Sequence, residues 1–326
     1  MKEQNLPEFK KIVALAGGVG GAKLALGLYL ELKSQGRATD LTIIGNTGDD
    51  LELFGVRICP DLDTVMYTLS DLVNPAHGWG VAGDSFTTLE MLKRYGEDGW
   101  FLLGDGDFAT HLIRTQMLKE GYSLTAATAR LARGLGLECS LLPMANEDVR
   151  TKVQTLEAGK LPFQEYFVRR RASDTVVGLG FEGVEKAKVS AEVQVAVEAA
   201  SLIVICPSNP YLSVQPILAV PGMSDLLKNS PAQIIAVSPI VGGVALKGPA
   251  ASIMQSLGGE KEASALGVAK YYAGFAQGFV LDELDAEQAT AIQNLGFKTL
   301  VTQTVMKTEA DKQRLATHIL EEFLPR

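Results

Sequence analysis

Cysteine is scarce in this chain. Its three copies, Cys59, Cys139 and Cys206, stand far apart, and none pairs at Cys-x-x-Cys spacing. That excludes a disulfide framework and a cysteine-rich zinc module, and it fits a reducing compartment. Histidine is equally rare, with three copies and no His-Glu-x-x-His spacing. Long apolar runs are missing too. The longest, such as Leu202–Cys206, are strand-sized, far short of the ~20 residues of a membrane helix. Positive charge is not in excess: 30 Lys and Arg face 38 Asp and Glu, a formal net charge of −8, and no basic run occurs. Nucleic acid and membrane surfaces are therefore not expected partners. A small phosphorylated ligand stays open, since backbone N–H groups and a few lysines suffice to bind one. The opening MKEQNLPEFKK carries charge but no apolar h-region, so no secretory leader is expected and the location expected is cytoplasmic.

What is present is an ordinary globular composition, 47% hydrophobic and 21% charged, with 33 glycines against 13 prolines. Short β-branched runs alternate with stretches of helical period, the pattern of βαβ units and a parallel sheet. KIVALA at 11–16 and LTIIG at 41–45 read as strands, with a helix from Gly21 to about Lys33 between them. Later strands are expected at 202–206, 234–238, 279–282 and 299–302, and a closing helix over 309–323. From about Asp63 to Arg150 the apolar spacing is helical, most clearly at Ser123–Leu135. Phe163–Val168 and Thr175–Gly180 alternate like antiparallel strands. The fold class expected is therefore α/β: a parallel sheet body with an inserted helical and antiparallel β subdomain. Residues 1–62 and 200–326 would form the nucleotide-binding body, and 63–199 the insertion between them.

The first strand runs into Gly17-Gly18-Val19-Gly20-Gly21-Ala22-Lys23. Such glycines let backbone approach a phosphate at a helix N-terminus. A dinucleotide fingerprint would need glycine at Lys23, and a P-loop would need glycine at Ala22 and Ser or Thr at Leu24. Phosphate binding outside both standard motifs, or a turn that only packs helix on sheet, are the two readings left. Asp49-Asp50 follows the second strand, and Asp61 and Asp63 come shortly after. Four short carboxylates near a phosphate loop suit a hard cation such as Mg²⁺, here expected on Asp49 and Asp63. Capping of the helix that follows is the alternative for Asp61 or Asp63. If Asp107 caps a helix, His111 and Arg114 share its face, in either a structural or a functional role. No G-x-S-x-G elbow or S-x-x-K supports a serine nucleophile. Polar turns at Ser208-Asn209 and Gly242-Gly243, with Lys247 beyond, end two later strands. Four such strand ends point to one shared crevice.

Ten ordered blocks (GGVGGAK, NTGDD, RICPDLDTVMY, GWG, ATHLIRTQML, LLPM, FQEYFV, CPSNP, ILAVPGM and SPIVGG–ALKGPA) spread from Gly17 to the final helix. On these blocks the chain resembles the 2-phospho-L-lactate transferase family of coenzyme F-420 biosynthesis. The resemblance implies a Rossmann-like, dimeric, Mg²⁺-dependent transferase. Such an enzyme joins the deazaflavin alcohol Fo to a phosphorylated three-carbon acid (2-phospholactate, phosphoenolpyruvate or 3-phosphoglycerate), taken from its guanosine diphosphate ester with release of GMP. Carried onto this sequence, the metal aspartates would be Asp49 and Asp63. The donor would be held by Gly17, Gly18, Gly20, Gly21, Lys23, Asn46, Ser208, Asn209, Gly242, Gly243 and Lys247. Asp63 or Asp50 would take the hydroxyl proton, Lys23 would neutralise oxygen charge, and Trp79 would help cover the deazaflavin. Asp63→Asn is then expected to abolish turnover with the fold intact.

The chain departs from the family pattern at Gly104-Asp105-Gly106-Asp107, where relatives commonly carry an arginine at the position of Gly106. Leu102 likewise stands where a basic residue is often found. Both bear on which donor acid is used. Two other classes remain open: a non-enzymatic nucleotide-sugar-binding regulatory protein of the related fold, and an NAD(P)-dependent dehydrogenase whose fingerprint is broken at Lys23.

Overall fold

Seven strands pair side by side, every neighbouring pair parallel. In chain order they are β1 (Lys11–Ala16), β2 (Leu41–Gly45), β3 (Ser140–Pro143), β4 (Ala200–Ile205), β5 (Gln233–Val237), β6 (Gly278–Leu281) and β7 (Lys298–Val301). Their order across the sheet is β7-β6-β5-β4-β1-β2-β3. The computed structural model describes residues 10–245, 250–258 and 263–325. Adjacent residues of one strand enter opposite cores: Ile12 and Ala14 pack with the first helix, while Val13 and Leu15 face the other layer. A sheet covered on both faces needs continuous apolar strands, and that is what the sequence supplies.

On one face lie α1 (Gly18–Ser34), α2 (Pro60–Leu69), α3 (Asp105–Lys119), α4 (Leu124–Gly134) and α5 (Glu309–Phe323), with α1 packed against both α2 and α5. Leu24, Leu28 and Leu32 bury the sheet-facing stripe of α1, and Gly27 lets α5 approach, since a Cβ there would overlap the Lys312 carbonyl. The ends are set locally. Ser123 caps α4 by accepting from the Ala126 N–H at 3.1 Å, and Thr308 with Asp311 forms a capping box on α5. Among the described residues no helix is long and apolar enough to cross a membrane.

Two expectations need correction. The body is not confined to 1–62 and 200–326, because β3 lies inside the expected insertion and pairs with β2. In addition, α2 straddles residue 63. The chain therefore leaves the body twice, once on either side of β3. Ser140–Pro143 lies within a stretch whose apolar spacing otherwise reads as helical, so nothing local sets it apart as a strand. The second excursion holds an antiparallel sheet with Arg150–Thr155 between Gly159–Pro162 and Val176–Glu182. Phe163–Val168 is not one of its strands. It turns into a short helix, Glu165–Arg169, because Phe163 and Tyr166 bury together at helical spacing and Phe163 stacks on Phe167.

Candidate active site

The strand order reverses between β1 and β4, and open α/β sheets bind ligands at such a point, beyond the carboxyl ends of the strands. A cleft of about 750 Å³ opens there. Gly17 after β1 with the first turn of α1 (Gly18, Val19, Gly20) and the loop after β4 (Pro207, Ser208, Asn209) form its floor. Ser208 ties the two together: its Oγ accepts from the Gly17 N–H at 3.1 Å and donates to the Gly17 carbonyl at 2.9 Å.

This pairing decides what the glycines do. A Cβ at Gly20 would overlap the Pro207 carbonyl and one at Gly21 the Ser208 hydroxyl, while at Gly17 it would come within 2.6 Å of Asp61 Oδ2. These three glycines are required by the protein's own loop packing. Gly18 differs, having φ +63° and open space around its Cα. Lys23, one turn along α1, lines the cleft and donates to the Met306 carbonyl at 3.0 Å.

The four aspartates separate into distinct roles. Asp61 is not the cap of its own helix. Its Oδ1 accepts from Gly18 N–H at 2.8 Å and its Oδ2 from Asn46 Nδ2 at 2.9 Å, so it caps α1 across the loop. Burial lifts the Asp61 carboxyl to about 6. Asp49 lines the cleft with a buried Oδ1 that has no hydrogen-bond partner among the described residues. Burial, and then the charge of Asp61, push its pKa well above the usual carboxylate range. Asp50 turns the other way. It is ion-paired with Arg57 at 3.0 Å, accepts from Cys59 Sγ at 2.9 Å and does not reach the cleft wall.

Asp63 is engaged by Arg114 through both oxygens. Arg114 is fully buried and also lies 3.2 Å from His111 Nδ1. His111 Nε2 reaches Asp107 Oδ1 at 3.3 Å, and Tyr67 donates its phenol to that same oxygen at 2.7 Å. One ligand atom each from Asp63, Asp107 and His111 falls within 4.8 Å of the others, a spacing that could hold a metal. Arg114 already supplies the positive charge there.

Asn46 is fully buried beneath the loop, where its Oδ1 accepts from Gly48 N–H at 2.8 Å. It shapes the site rather than facing it. Asn209 faces the cleft with a buried Nδ2 that has no partner among the described residues. Gly242 and Gly243 do not line the cleft. They are the turn of a hairpin joining Ile240–Val241 to Val244–Ala245, with φ +57° and +77°, while Ser238 and Pro239 just before them do line it. Lys247 lies outside the described residues.

Sequence reasoning did not anticipate two parts of the wall. One is the segment Thr304–Lys307, held by Asp282 Oδ2, which accepts from Thr304 N–H at 2.7 Å. The other is an aromatic lip of Trp79, Trp100, Phe101, Phe163 and Phe167, drawn from three separate stretches of chain. Only Trp79 had been placed near a ligand. His77 stacks on it, with centroids 5.1 Å apart.

The family model of CofD, 2-phospho-L-lactate transferase, matches residues 12–321. This chain belongs to that family. Among its relatives, the phosphoenolpyruvate transferase of Streptomyces griseus is 40% identical over 316 residues, covering 95% of this chain and 98% of that one. The 2-phospho-L-lactate transferase of Methanosarcina acetivorans is 38% identical over 312 residues, covering 96% and 99%. A crystal structure of a Bacillus halodurans protein matches with TM-score 0.62 over 95% of this chain at 18% identity, a likeness of fold alone. The CofD-family chain is thus a transferase-family α/β protein whose cleft holds the strand-end loops that its sequence singled out.

Proposed function

We propose that this CofD-family protein transfers a phosphorylated three-carbon acid from its guanosine diphosphate ester to the primary hydroxyl of the deazaflavin alcohol Fo, releasing GMP, in coenzyme F-420 biosynthesis. The observation that carries the reading is one cleft with two chemically different walls. The loop after β4 offers Asn209, and the first turns of α1 offer Lys23, to a nucleoside diphosphate. The aromatic lip offers flat apolar surface to a deazaflavin ring. We assign phosphoryl-group transfer dependent on Mg²⁺, by a homodimer.

The residues present suit a hard cation at Asp49, whose buried oxygen lacks a partner and whose charge is destabilised by burial and by Asp61. Asp49 and Asp61 are the better donor set. Asp63, expected to share the ion, is instead neutralised by Arg114. When bound, Mg²⁺ would offset negative charge on the diphosphate. The chain's own groups hold and align the reactants, which is most of what phosphoryl transfer requires. Asn209 Nδ2 and Lys23 Nζ are donors for phosphate oxygens, and the aromatic lip excludes water from the acceptor.

The test is incubation of purified protein with Fo, Mg²⁺ and each of the three guanylylated acids in turn, followed by chromatography and mass spectrometry. A more anionic deazaflavin, formed together with GMP from one donor, is the expected result. Guanosine nucleotide binding without product from any donor would move the assignment to a regulatory protein.

A further inference from the structure

Every aspartate expected to take the acceptor's proton is committed elsewhere. Asp50 is turned to Arg57, and Asp63 is held on both oxygens by Arg114. Asp107 is differently placed. Its Oδ1 accepts from Tyr67 at 2.7 Å and lies 3.3 Å from His111 Nε2, contacts that orient the carboxylate, while its backbone N–H donates to Asp84 Oδ2 at 3.0 Å. No hydrogen bond to its Oδ2 occurs among the described residues.

A second cavity, about 180 Å³, adjoins the main cleft, and the two share Asp107, His77, Trp79, Gly80 and Leu102 as common wall. Asp107 therefore stands where two compartments meet. One side leads to the strand-end loops, and the other is a largely apolar annex walled further by Asn74, Val81 and Phe86. A two-substrate transfer needs the attacking oxygen at such a junction, with a carboxylate oxygen free to receive its proton.

We propose that Asp107 is the catalytic carboxylate of the transfer: its Oδ2 accepts the hydrogen bond of the acceptor's primary hydroxyl and takes the proton as that oxygen bonds to phosphorus. Resting on the function proposed above, the step balances. The new O–P bond forms, the bond from phosphorus to the GMP oxygen breaks, GMP leaves with the electron pair, and the proton passes from Asp107 to solvent. Tyr67 and His111 are positioning residues, because they act on Asp107 and through its Oδ1. Burial alone would raise the Asp107 carboxyl, but His111, Tyr67 and the Arg114 charge outweigh it and hold its pKa below the ordinary value. The group thus stays ionised, as a proton acceptor must.

The experiment compares wild type, Asp107→Asn and Asp107→Glu with Fo, Mg²⁺ and the donor that wild type uses. Asn can still accept from Tyr67 but cannot take a proton. Expected is a fall in kcat of about 100-fold or more in Asp107→Asn, the size of a lost general base. Donor KM and deazaflavin binding, followed by fluorescence, should stay within about threefold, with part of kcat restored in Asp107→Glu. A kcat within about threefold of wild type overturns the assignment, as does a loss that appears only as raised KM. If Asp107→Asn does not fold, Tyr67→Phe decides. A kcat lowered about tenfold at unchanged KM supports the role, and an unchanged kcat overturns it. Wild-type protein inert with every donor overturns the proposed function itself, and this assignment with it.

Discussion

Asp61 and Gly18 lie 43 residues apart, yet the Asp61 carboxylate accepts the Gly18 N–H at 2.8 Å and so caps the helix that opens the cleft. The cap comes from the first turn of α2, which makes the floor of the site depend on α1 and α2 holding their relative position. Asp61→Ala removes this acceptor and the one serving Asn46. We expect a loss of about 1–2 kcal/mol, in the range of a lost N-cap. Urea unfolding of the metal-free protein measures it, and an unchanged midpoint would show the cap to be dispensable.

The glycine loop separates packing from ligand approach by position. Gly20→Ala drives a Cβ into the Pro207 carbonyl, and Gly27→Ala drives one into Lys312 on α5. Backbone cannot yield as a side chain end can, so each should cost about 1–3 kcal/mol. Gly18→Ala meets open space and is strained only by its positive φ, about 1 kcal/mol. The expected order in thermal melts is Gly18→Ala milder than either of the others. A Gly20→Ala protein as stable as wild type would contradict the loop geometry.

Much of this architecture was legible beforehand, for a physical reason. Strands buried on both faces must be continuously apolar, so β1 and β2 could be bounded to the residue. Helical apolar spacing marked α4, and the closing helix α5 was bounded equally well. What escaped was decided by tertiary contact. Asp49 and Asp50 are neighbours in sequence but face opposite ways, one into the cleft and one to Arg57. Gly242-Gly243 resembles a phosphate-binding turn but closes a hairpin, where two consecutive positive φ angles are what a tight turn requires. The aromatic lip gathers residues 79, 100–101 and 163–167, and no local pattern announces that they converge.

Arg114 is buried with both its charge and its geometry spent on Asp63. Removing one partner leaves the other charged and desolvated. Asp63→Asn should therefore lower stability by about 3 kcal/mol or more, contrary to the expectation of an intact fold. Arg114→Met should do the same. The double variant Arg114→Met with Asp63→Leu should recover most of the loss, since neither charge is then stranded. Additive losses in the double variant would exclude the buried pair as the cause.

Trp79 is stacked by His77 and forms part of the shared wall of the two cavities. If the lip holds the deazaflavin, Trp79→Ala should raise its KM about tenfold, equivalent to about 1.4 kcal/mol, with donor KM unchanged. A rise confined to donor KM would place the ring elsewhere.

If Asp49 and Asp61 hold Mg²⁺, as proposed, its binding carries a pH signature. Both carboxyls are raised by burial, Asp61 to about 6 from an ordinary 3.8. An acid raised on folding adds stability that is fully present below its unfolded pKa and is lost as pH rises through its folded one. For Asp61 that window runs from about pH 4 to about pH 6, and metal-free protein should lose stability across it. Mg²⁺ competes with those protons and should restore what is lost. About 10 mM Mg²⁺ should therefore raise the melting temperature at about pH 8 and do little at about pH 5. Asp49→Asn should abolish the difference. Equal stabilisation at both pH values, or a difference that survives in Asp49→Asn, would place the cation away from this pair.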